Sequence, residues 1–169
     1  MILDLSPIRA VSGEVLPFDY MLDLSELELY GEYPIPAPVR VSGCACNRAD
    51  VLELHMDVDF HLETRCARCL KPLSIPVSYH VERPMADSVE SEEDSEEILL
   101  LEDGAADLDA AAQETIVLEA RMSYLCRDDC AGLCPRCGAD LNEGPCACPP
   151  ETDERFAALA GLLGREDET

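Results

Sequence analysis

The fold of this chain is indicated most clearly by residues 51–66, which read VLELHMDVDFHLETRC. Apolar and polar side chains alternate strictly from Leu52 to Leu62. This period of two residues places one face of a β-strand in a core and the other in water. At about 3.3 Å per residue, the alternating residues would span about 36 Å, which is long for one strand. We therefore predict a strand with a bend or a bulge along its length.

Two segments on either side of this strand predict its partners. Residues 38–46, PVRVSGCAC, indicate a shorter strand that turns within residues 46–50, and residues 73–81, LSIPVSYHV, alternate with the same period. Pro76 lies on the polar phase of the second segment and favours an edge strand, because proline cannot donate to a strand ladder. The three strands predict an antiparallel meander with RCARCLKP, residues 65–72, at one of its turns. Two more strand-like pieces precede them, at Ile2–Leu5 and Glu14–Tyr20.

The middle of the chain is strongly acidic. Residues 87–104, DSVESEEDSEEILLLEDG, contain nine acidic residues and no basic residue. Such a segment buries too little apolar surface to fold alone, so we predict a solvated linker or mobile loop. Leu99–Leu101 would form a short strand that returns to the sheet. An acidic binding segment for a basic partner is the alternative interpretation.

Two helices are predicted in the C-terminal part of the chain. Residues 107–121 show an apolar face at helical spacing, and Asp107 and Asp109 suit a helix N-terminus. Residues 149–163, PPETDERFAALAGLL, predict a second helix. The fold class is thus α+β: a small antiparallel β-sheet or partial barrel, one packed helix and a C-terminal cysteine-rich zinc-knuckle segment. The predicted division is a β domain at 1–86, an acidic linker at 87–104, and the helical and cysteine-rich part at 105–169.

Ten cysteines carry the strongest chemical signal, and six of them lie in residues 126–148, CRDDCAGLCPRCGADLNEGPCAC. Zinc takes four thiolate ligands in a tetrahedron, and two cysteines on one tight turn can both point at it. Pro135 favours such a turn, and Gly138 permits the positive φ that a chain folded around a metal often needs. Four close pairs supply the candidate ligands: Cys66, Cys69, Cys126, Cys130, Cys134, Cys137, Cys146 and Cys148.

Two arrangements of these eight cysteines into two sites remain open. In the first, the four cysteines of residues 134–148 form one site, because closing so short a loop costs little entropy. The pairs 66/69 and 126/130 then form a site that joins the helix end to the sheet turn. In the second, the four cysteines of residues 126–137 form one site, and the pairs 66/69 and 146/148 form the other. We favour the first arrangement.

Redox chemistry competes with metal binding as an interpretation of the Cys-x-x-Cys pairs. A thioredoxin-like pair opens a helix within a βαβ unit, whereas Cys66 and Cys69 lie between two strands. A secreted disulfide-rich protein is disfavoured because the N-terminus, MILDLSPIRA, lacks the basic region of a signal peptide. Four thiolates leave no open coordination position, so we predict two structural zinc ions, with iron as the alternative metal, and no enzyme.

The remaining cysteines and the histidines are predicted to lie outside the metal sites. Cys44 and Cys46 are expected to be buried free thiols. His55, His61 and His80 fall on the polar phase of the strands, which favours surface positions over a ligand role.

The charge of the chain restricts its partners. The formal net charge is -24, from 36 acidic and 12 basic residues, and Lys71 is the only lysine. Sequence-independent nucleic-acid binding needs a basic face, so a basic protein partner is favoured over bare nucleic acid. No stretch of eighteen apolar residues predicts a membrane span, and we expect a cytoplasmic protein without a small-molecule substrate.

The two cysteine blocks resemble the signatures of a known bacterial family. Cys66-Ala-Arg-Cys69-Leu-Lys-Pro after an alternating strand resembles the CxRCL signature of the YceD family. Residues 125–148 resemble its C-terminal signature, and the acidic stretch and the closing DERFAALAGLL, residues 153–163, fit its order. Cys44 and Cys46 are not part of this pattern.

The resemblance implies a non-enzymatic, metal-binding protein needed for the accumulation, processing or assembly of large-subunit ribosomal RNA. Its partner would be a precursor of the large ribosomal subunit, contacted through a basic ribosomal protein or through ribosomal RNA. The alternative function is a thiol redox sensor or an oxidoreductase that uses the Cys-x-x-Cys pairs.

Overall fold

The computed structural model of the protein describes residues 1–89 and 97–149. Strands dominate these residues, and the two helices are a single short turn near the N-terminus and a longer helix after the acidic segment. The strands are β1 (Ile2–Asp4), β2 (Val15–Leu22), β3 (Val39–Arg48), β4 (Val51–Arg65), β5 (Pro72–Ala86), β6 (Leu99–Leu100) and β7 (Ala105–Asp107), and the helices are α1 (Ser6–Arg9) and α2 (Leu108–Glu119).

The predicted meander forms the centre of an open five-stranded sheet. Its strand order is β2-β3-β4-β5-β6, with antiparallel neighbours except for the short parallel pair β5 and β6. The sheet is therefore open among the described residues, which form the antiparallel sheet and not the partial barrel that the sequence also allowed. Pro76 lies in the part of β5 that pairs only with β4 among the described residues, as expected for an edge.

The long strand β4 is confirmed, and of the predicted bend or bulge, the bulge is absent. Its pairing with β5 keeps one register from Leu52 opposite Met85 to Arg65 opposite Pro72, and the β3–β4 register is equally continuous. An extra residue in either strand would have broken this register. The long neighbour β5 pairs with β4 along nearly its whole length and so supports the long unbroken strand.

The hydrophobic core lies between one face of this sheet and α2. Leu54, Met56 and Val58 of β4 are fully buried, as the alternation predicts, and Leu108 and Ile116 of α2 are fully buried in the same cluster. The helix begins at Leu108 because the Asp107 carboxylate accepts hydrogen bonds from the backbone N–H groups of residues 109 and 110. The core thus draws residues from both sides of the acidic segment.

The N-terminal residues and the flanks of the acidic segment are tied to this core. The strand-like N-terminal piece is β1, which pairs with β7 just before α2. Arg9 binds the Asp87 carboxylate through two hydrogen bonds of 2.8 Å and holds the start of the acidic segment. The predicted short strand at 99–101 is β6. The predicted C-terminal helix, and the most acidic part of the linker, lie outside the described residues.

Candidate metal centres

The structure brings the eight candidate cysteines together in two groups of four. We call Cys66, Cys69, Cys126 and Cys130 the sheet-turn cluster, and Cys134, Cys137, Cys146 and Cys148 the tail cluster. Within each cluster all four sulfur atoms lie within 4.8 Å of one another. The grouping is the first of the two arrangements that the sequence left open. Either cluster could hold a metal ion.

The spacing of the sulfur atoms fits tetrahedral coordination. The Sγ atoms of Cys66 and Cys130 are 3.8 Å apart, and those of Cys69 and Cys126 are 3.6 Å apart. In the tail cluster, the Sγ atoms of Cys134 and Cys146 are 3.4 Å apart. Zinc–sulfur bonds of about 2.3 Å give a tetrahedron with sulfur atoms about 3.8 Å apart. The sheet-turn cluster matches this spacing closely, and the tail cluster is slightly tighter.

The Cys-x-x-Cys turns of the two clusters share one backbone geometry. In the first turn, Leu70 N–H donates to the Cys66 carbonyl at 2.9 Å, and Cys66 N–H donates to the Lys71 carbonyl at 2.9 Å. In the second, Gly138 N–H donates to the Cys134 carbonyl at 2.9 Å, and Cys134 N–H donates to the residue 139 carbonyl at 2.8 Å. Two different sequences therefore build the same ligand turn.

The residue after the second cysteine has a positive φ in both turns. Gly138 has φ +71°, as the sequence suggested, but Leu70 has φ +60°. A leucine in this region is strained, because its Cβ atom crowds the backbone. The first turn thus has the backbone conformation of the glycine-containing turn without its glycine.

The two clusters differ in burial. Cys66, Cys69 and Cys130 are buried and pack against leucine side chains in a small apolar cluster separate from the main core. In the tail cluster only Cys134 is buried. The sheet-turn cluster therefore lies at the join between β4, β5 and the segment after α2, whereas the tail cluster lies nearer the surface.

Local hydrogen bonds favour ionisation of the first cysteine in each turn. Backbone N–H groups, chiefly that of Cys69, lower the pKa of Cys66 to about 6. The backbone N–H groups of Cys137 and Arg136 likewise lower the pKa of Cys134 to about 6. Such turns are suited to hold thiolates, the form of cysteine that binds metal.

The other cysteines show why four thiolates need a cation. The pKa of Cys126 is raised to about 12 by desolvation of its sulfur and by hydrogen bonding with the neighbouring thiols. Hydrogen bonding with Cys137, together with desolvation, raises the pKa of Cys148 to about 12. Four thiols so close cannot all ionise without a counter-charge, because each thiolate disfavours the next. A divalent cation supplies that charge, so the donor set fits a metal ion.

Polar and charged side chains to which the sequence analysis gave no role in a metal site link the two clusters. The Asn142 Nδ2 atom donates to the Cys130 sulfur at 3.5 Å, while its Oδ1 atom accepts from the Ala131 backbone at 2.8 Å. Lys71, just after the first turn, pairs with Asp140, just after the second, at 3.0 Å. Hydrogen bonds to ligand atoms orient them and tune a metal site. Their only signal in the sequence was proximity to a cysteine turn.

The first turn and the segment around Cys130 also fit together through the backbone. Arg68 donates from Nη1 to the Cys130 carbonyl at 2.8 Å. The Leu133 N–H donates to the Arg68 carbonyl at 3.1 Å, and a Cβ atom on Gly132 would lie 3.0 Å from that same oxygen. A side chain at Gly132 would therefore crowd the Arg68 carbonyl and strain a backbone of φ +77°, so glycine favours the close approach of the two segments.

The remaining cysteines and histidines fall on the outer face of the sheet, opposite the core. Cys46 is buried, as predicted, but Cys44 is only half-buried. His61 and His80 are exposed strand residues, as predicted. His55 is half-buried, and its ring lies within 4.8 Å of the Cys46 sulfur and a Glu53 carboxylate oxygen. The sequence analysis missed this third group because its members come from two strands.

Comparison with known proteins identifies the family. A family model described as "Large ribosomal RNA subunit accumulation protein YceD" matches residues 54–163. The chain belongs to the YceD family. The match begins inside β4 and covers both cysteine clusters, so the YceD match includes every residue of the two candidate metal centres.

Three mycobacterial proteins are similar to a larger share of the chain than the family model matches. Proteins titled "Uncharacterized protein" from Mycobacterium bovis and from two strains of Mycobacterium tuberculosis are each 30% identical over 158 residues. Each match covers 84% of this chain and 76% of the relative. No solved structure matches the chain. Within the part of this YceD protein that the structure describes, no helix is long and apolar enough to cross a membrane.

Proposed function

We propose that this protein is a non-enzymatic zinc-binding factor that supports the accumulation, processing or assembly of large-subunit ribosomal RNA in the cytoplasm. Membership of the YceD family supports the ribosomal role. The observation that carries the metal-dependent part is the pair of four-sulfur clusters, each with tetrahedral spacing and the same ligand turn.

Two structural zinc ions would be held by the eight cysteines of the sheet-turn and tail clusters. When bound, each ion supplies a cross-link and neutralises thiolate charge. The sheet-turn cluster joins residues 66–69 to residues 126–130 and so fixes the chain after α2 on the sheet. An ion in the tail cluster would fix the conformation of residues 134–148 at the surface. Closed four-thiolate sites serve structure, because no coordination position is left for a substrate.

The charge of the chain supports a basic partner. With a formal net charge of -24, the protein repels the phosphates of bare RNA at long range and attracts basic proteins. We therefore propose a contact with a precursor of the large ribosomal subunit through a basic ribosomal protein or a composite protein–RNA surface. The attraction would weaken as added salt screens the charges.

Sedimentation of cell extracts tests this function. A strain that lacks the gene is complemented with the wild-type chain, with Cys69→Ser, or with Cys44→Ser as the control outside both clusters. We expect wild type and Cys44→Ser to co-migrate with large-subunit precursors at low salt and to restore the ratio of large- to small-subunit ribosomal RNA. Cys69→Ser should restore neither. A wild-type protein that stays at the top of the gradient at low and moderate salt would refute stable association with the precursor.

Thiol titration separates this function from the redox alternative, which the low pKa values of Cys66 and Cys134 also favour. If zinc occupies both clusters, their eight thiols should resist alkylation until a chelator is added. Reversible oxidation of the untreated protein, accompanied by loss of ribosomal RNA accumulation, would instead favour a thiol sensor.

A further inference from the structure

The outer face of the sheet carries a third group of metal-ligating side chains. Cys44 and Cys46 alternate along β3, and Glu53 and His55 alternate along β4. Cys46 lies opposite Glu53 in the register, and Cys44 lies opposite His55. Since Ala45 and Leu54 between them are fully buried in the core, these four side chains share the opposite face.

Three of the four have donor atoms close enough for one ion. The Cys46 Sγ atom is 3.9 Å from Glu53 Oε2, and the His55 Nε2 atom is 3.4 Å from the same oxygen. In a tetrahedral zinc site, bonds of about 2.3 Å to sulfur and about 2.1 Å to oxygen and nitrogen separate those ligand pairs by about 3.6 and 3.4 Å. These two pairs therefore need to contract by no more than about 0.3 Å, and the Cys46 sulfur and the His55 ring nitrogen lie within 4.8 Å of each other.

The neighbours of His55 hold its ring as a metal ligand requires. Its Nδ1 atom lies 3.3 Å from Glu82 Oε1, and Glu82 also contacts His80 Nε2 at 3.2 Å. An Nδ1–H that donates to Glu82 leaves the lone pair of Nε2 facing Glu53 and Cys46. Ligand histidines commonly have such a carboxylate on the second nitrogen, because it sets the tautomer and raises basicity. His80 is in turn held by Asp57 at 2.6 Å.

The site is open to solvent on one side. Cys44, Cys46 and His55 line an open surface cavity, together with Ser12, Gly13, Val15 and residues 47–49. Arg48 pairs with Glu53 Oε2 at 3.3 Å, but its side chain is 72% exposed and can move away as an ion enters. An ion bound here would therefore keep one coordination position facing the cavity.

We propose that Cys46, Glu53 and His55 form a third metal site, which takes a divalent transition-metal ion of the zinc or cobalt type. Thiolate, carboxylate and imidazole together suit such borderline ions better than magnesium or calcium, which prefer oxygen ligands. With three protein ligands and one open position, this site differs from the closed four-thiolate clusters and would exchange its ion more readily.

The test measures metal content on the full-length protein. Zinc-loaded protein is equilibrated with Co²⁺ after weakly held zinc has been removed with a mild chelator. We expect one equivalent of Co²⁺ to bind with a sulfur-to-cobalt charge-transfer band. Cys46→Ser should lose both the band and the equivalent, and His55→Gln should weaken Co²⁺ binding at least tenfold. His61→Gln, an exposed histidine on the same face of β4 but outside the ligand set and its neighbours, should retain the band and the full equivalent.

The outcomes separate this site from the two clusters. Binding of Co²⁺ that is unchanged in both Cys46→Ser and His55→Gln would overturn the proposal, as would a charge-transfer band that depends on Cys44 but not on Cys46. Circular dichroism of each variant verifies the fold, and His55→Gln at a half-buried position tests the site even if Cys46→Ser fails to fold. The zinc of the sheet-turn and tail clusters is measured in the same samples, so its absence would refute the proposed clusters without affecting the third site.

Discussion

The sheet-turn cluster should contribute more to stability than the tail cluster, because it closes a much longer loop. Cys69 and Cys126 are 57 residues apart in the chain, whereas Cys134 and Cys146 are 12 residues apart. A metal ion that joins such residues restricts the unfolded chain as a cross-link does. The chain-entropy relation gives about 4.2 kcal/mol for the longer loop and about 2.8 kcal/mol for the shorter one at 25 °C.

Two exposed cysteines provide a matched pair of variants. Cys126→Ser opens the sheet-turn cluster and Cys137→Ser opens the tail cluster, and neither substitution leaves a cavity in a buried position. From the difference of about 1.4 kcal/mol, and an m-value of about 2 kcal/mol/M, the urea midpoint of Cys126→Ser should lie about 0.7 M below that of Cys137→Ser.

Urea unfolding followed by far-ultraviolet circular dichroism measures the two midpoints in a buffer of fixed free zinc. Metal analysis first verifies that each variant has lost one zinc ion. Cys44→Ser is the control and should keep the wild-type midpoint and zinc content. A midpoint for Cys137→Ser at or below that of Cys126→Ser, with one ion lost from each, would refute the assignment of the long-range cross-link to Cys66, Cys69, Cys126 and Cys130.

Two smaller predictions concern the backbone and pH. Gly43→Ala should lower the free energy of unfolding, measured by thermal unfolding, by about 3 kcal/mol or more, because its Cβ atom would lie 2.0 Å from the His55 carbonyl oxygen. Gly13→Ala, with open space around it, should lower the free energy of unfolding by clearly less. Hydrogen bonds from Arg9 lower the pKa of Asp87, so the stabilising contribution of this pair is present above the ordinary carboxyl pKa of about 3.9 and is lost as the pH falls through the lowered value. A carboxyl titration by nuclear magnetic resonance should return Asp87 to its ordinary pKa in Arg9→Gln, and an unchanged titration would contradict the pairing.

Local patterns in the sequence were sufficient for most of the fold. Alternation from Leu52 to Leu62 predicted β4 and its buried face, because the two-residue period is a property of the strand itself. The Asp107 cap and the apolar spacing after it predicted α2 to within two residues at either end. Of the predicted bend or bulge, the bulge was wrong, because that expectation came from strand length alone, whereas the partner strand β5 pairs with β4 along nearly its whole length.

The candidate sites were only partly predictable from the sequence. The eight cysteines were recognisable as candidate ligands from their pairwise spacing, and the residues of both cysteine blocks pointed to the YceD family. Other features were not recognisable. Leu70 adopts the positive φ of a ligand turn without glycine, and Asn142 reaches the Cys130 sulfur from twelve residues away.

The sequence by itself determined which residues form strands, which face of each strand is buried, and which cysteines can share a tight turn, since each depends on neighbours along the chain. Only the tertiary structure decided which cysteine pairs meet, because both arrangements satisfied the local spacing and the choice depends on where the end of α2 lies relative to the β4–β5 turn. The same holds for Cys46, Glu53 and His55. Their proximity depends on the β3–β4 register, in which a shift of one residue would move one strand's side chains to the opposite face of the sheet.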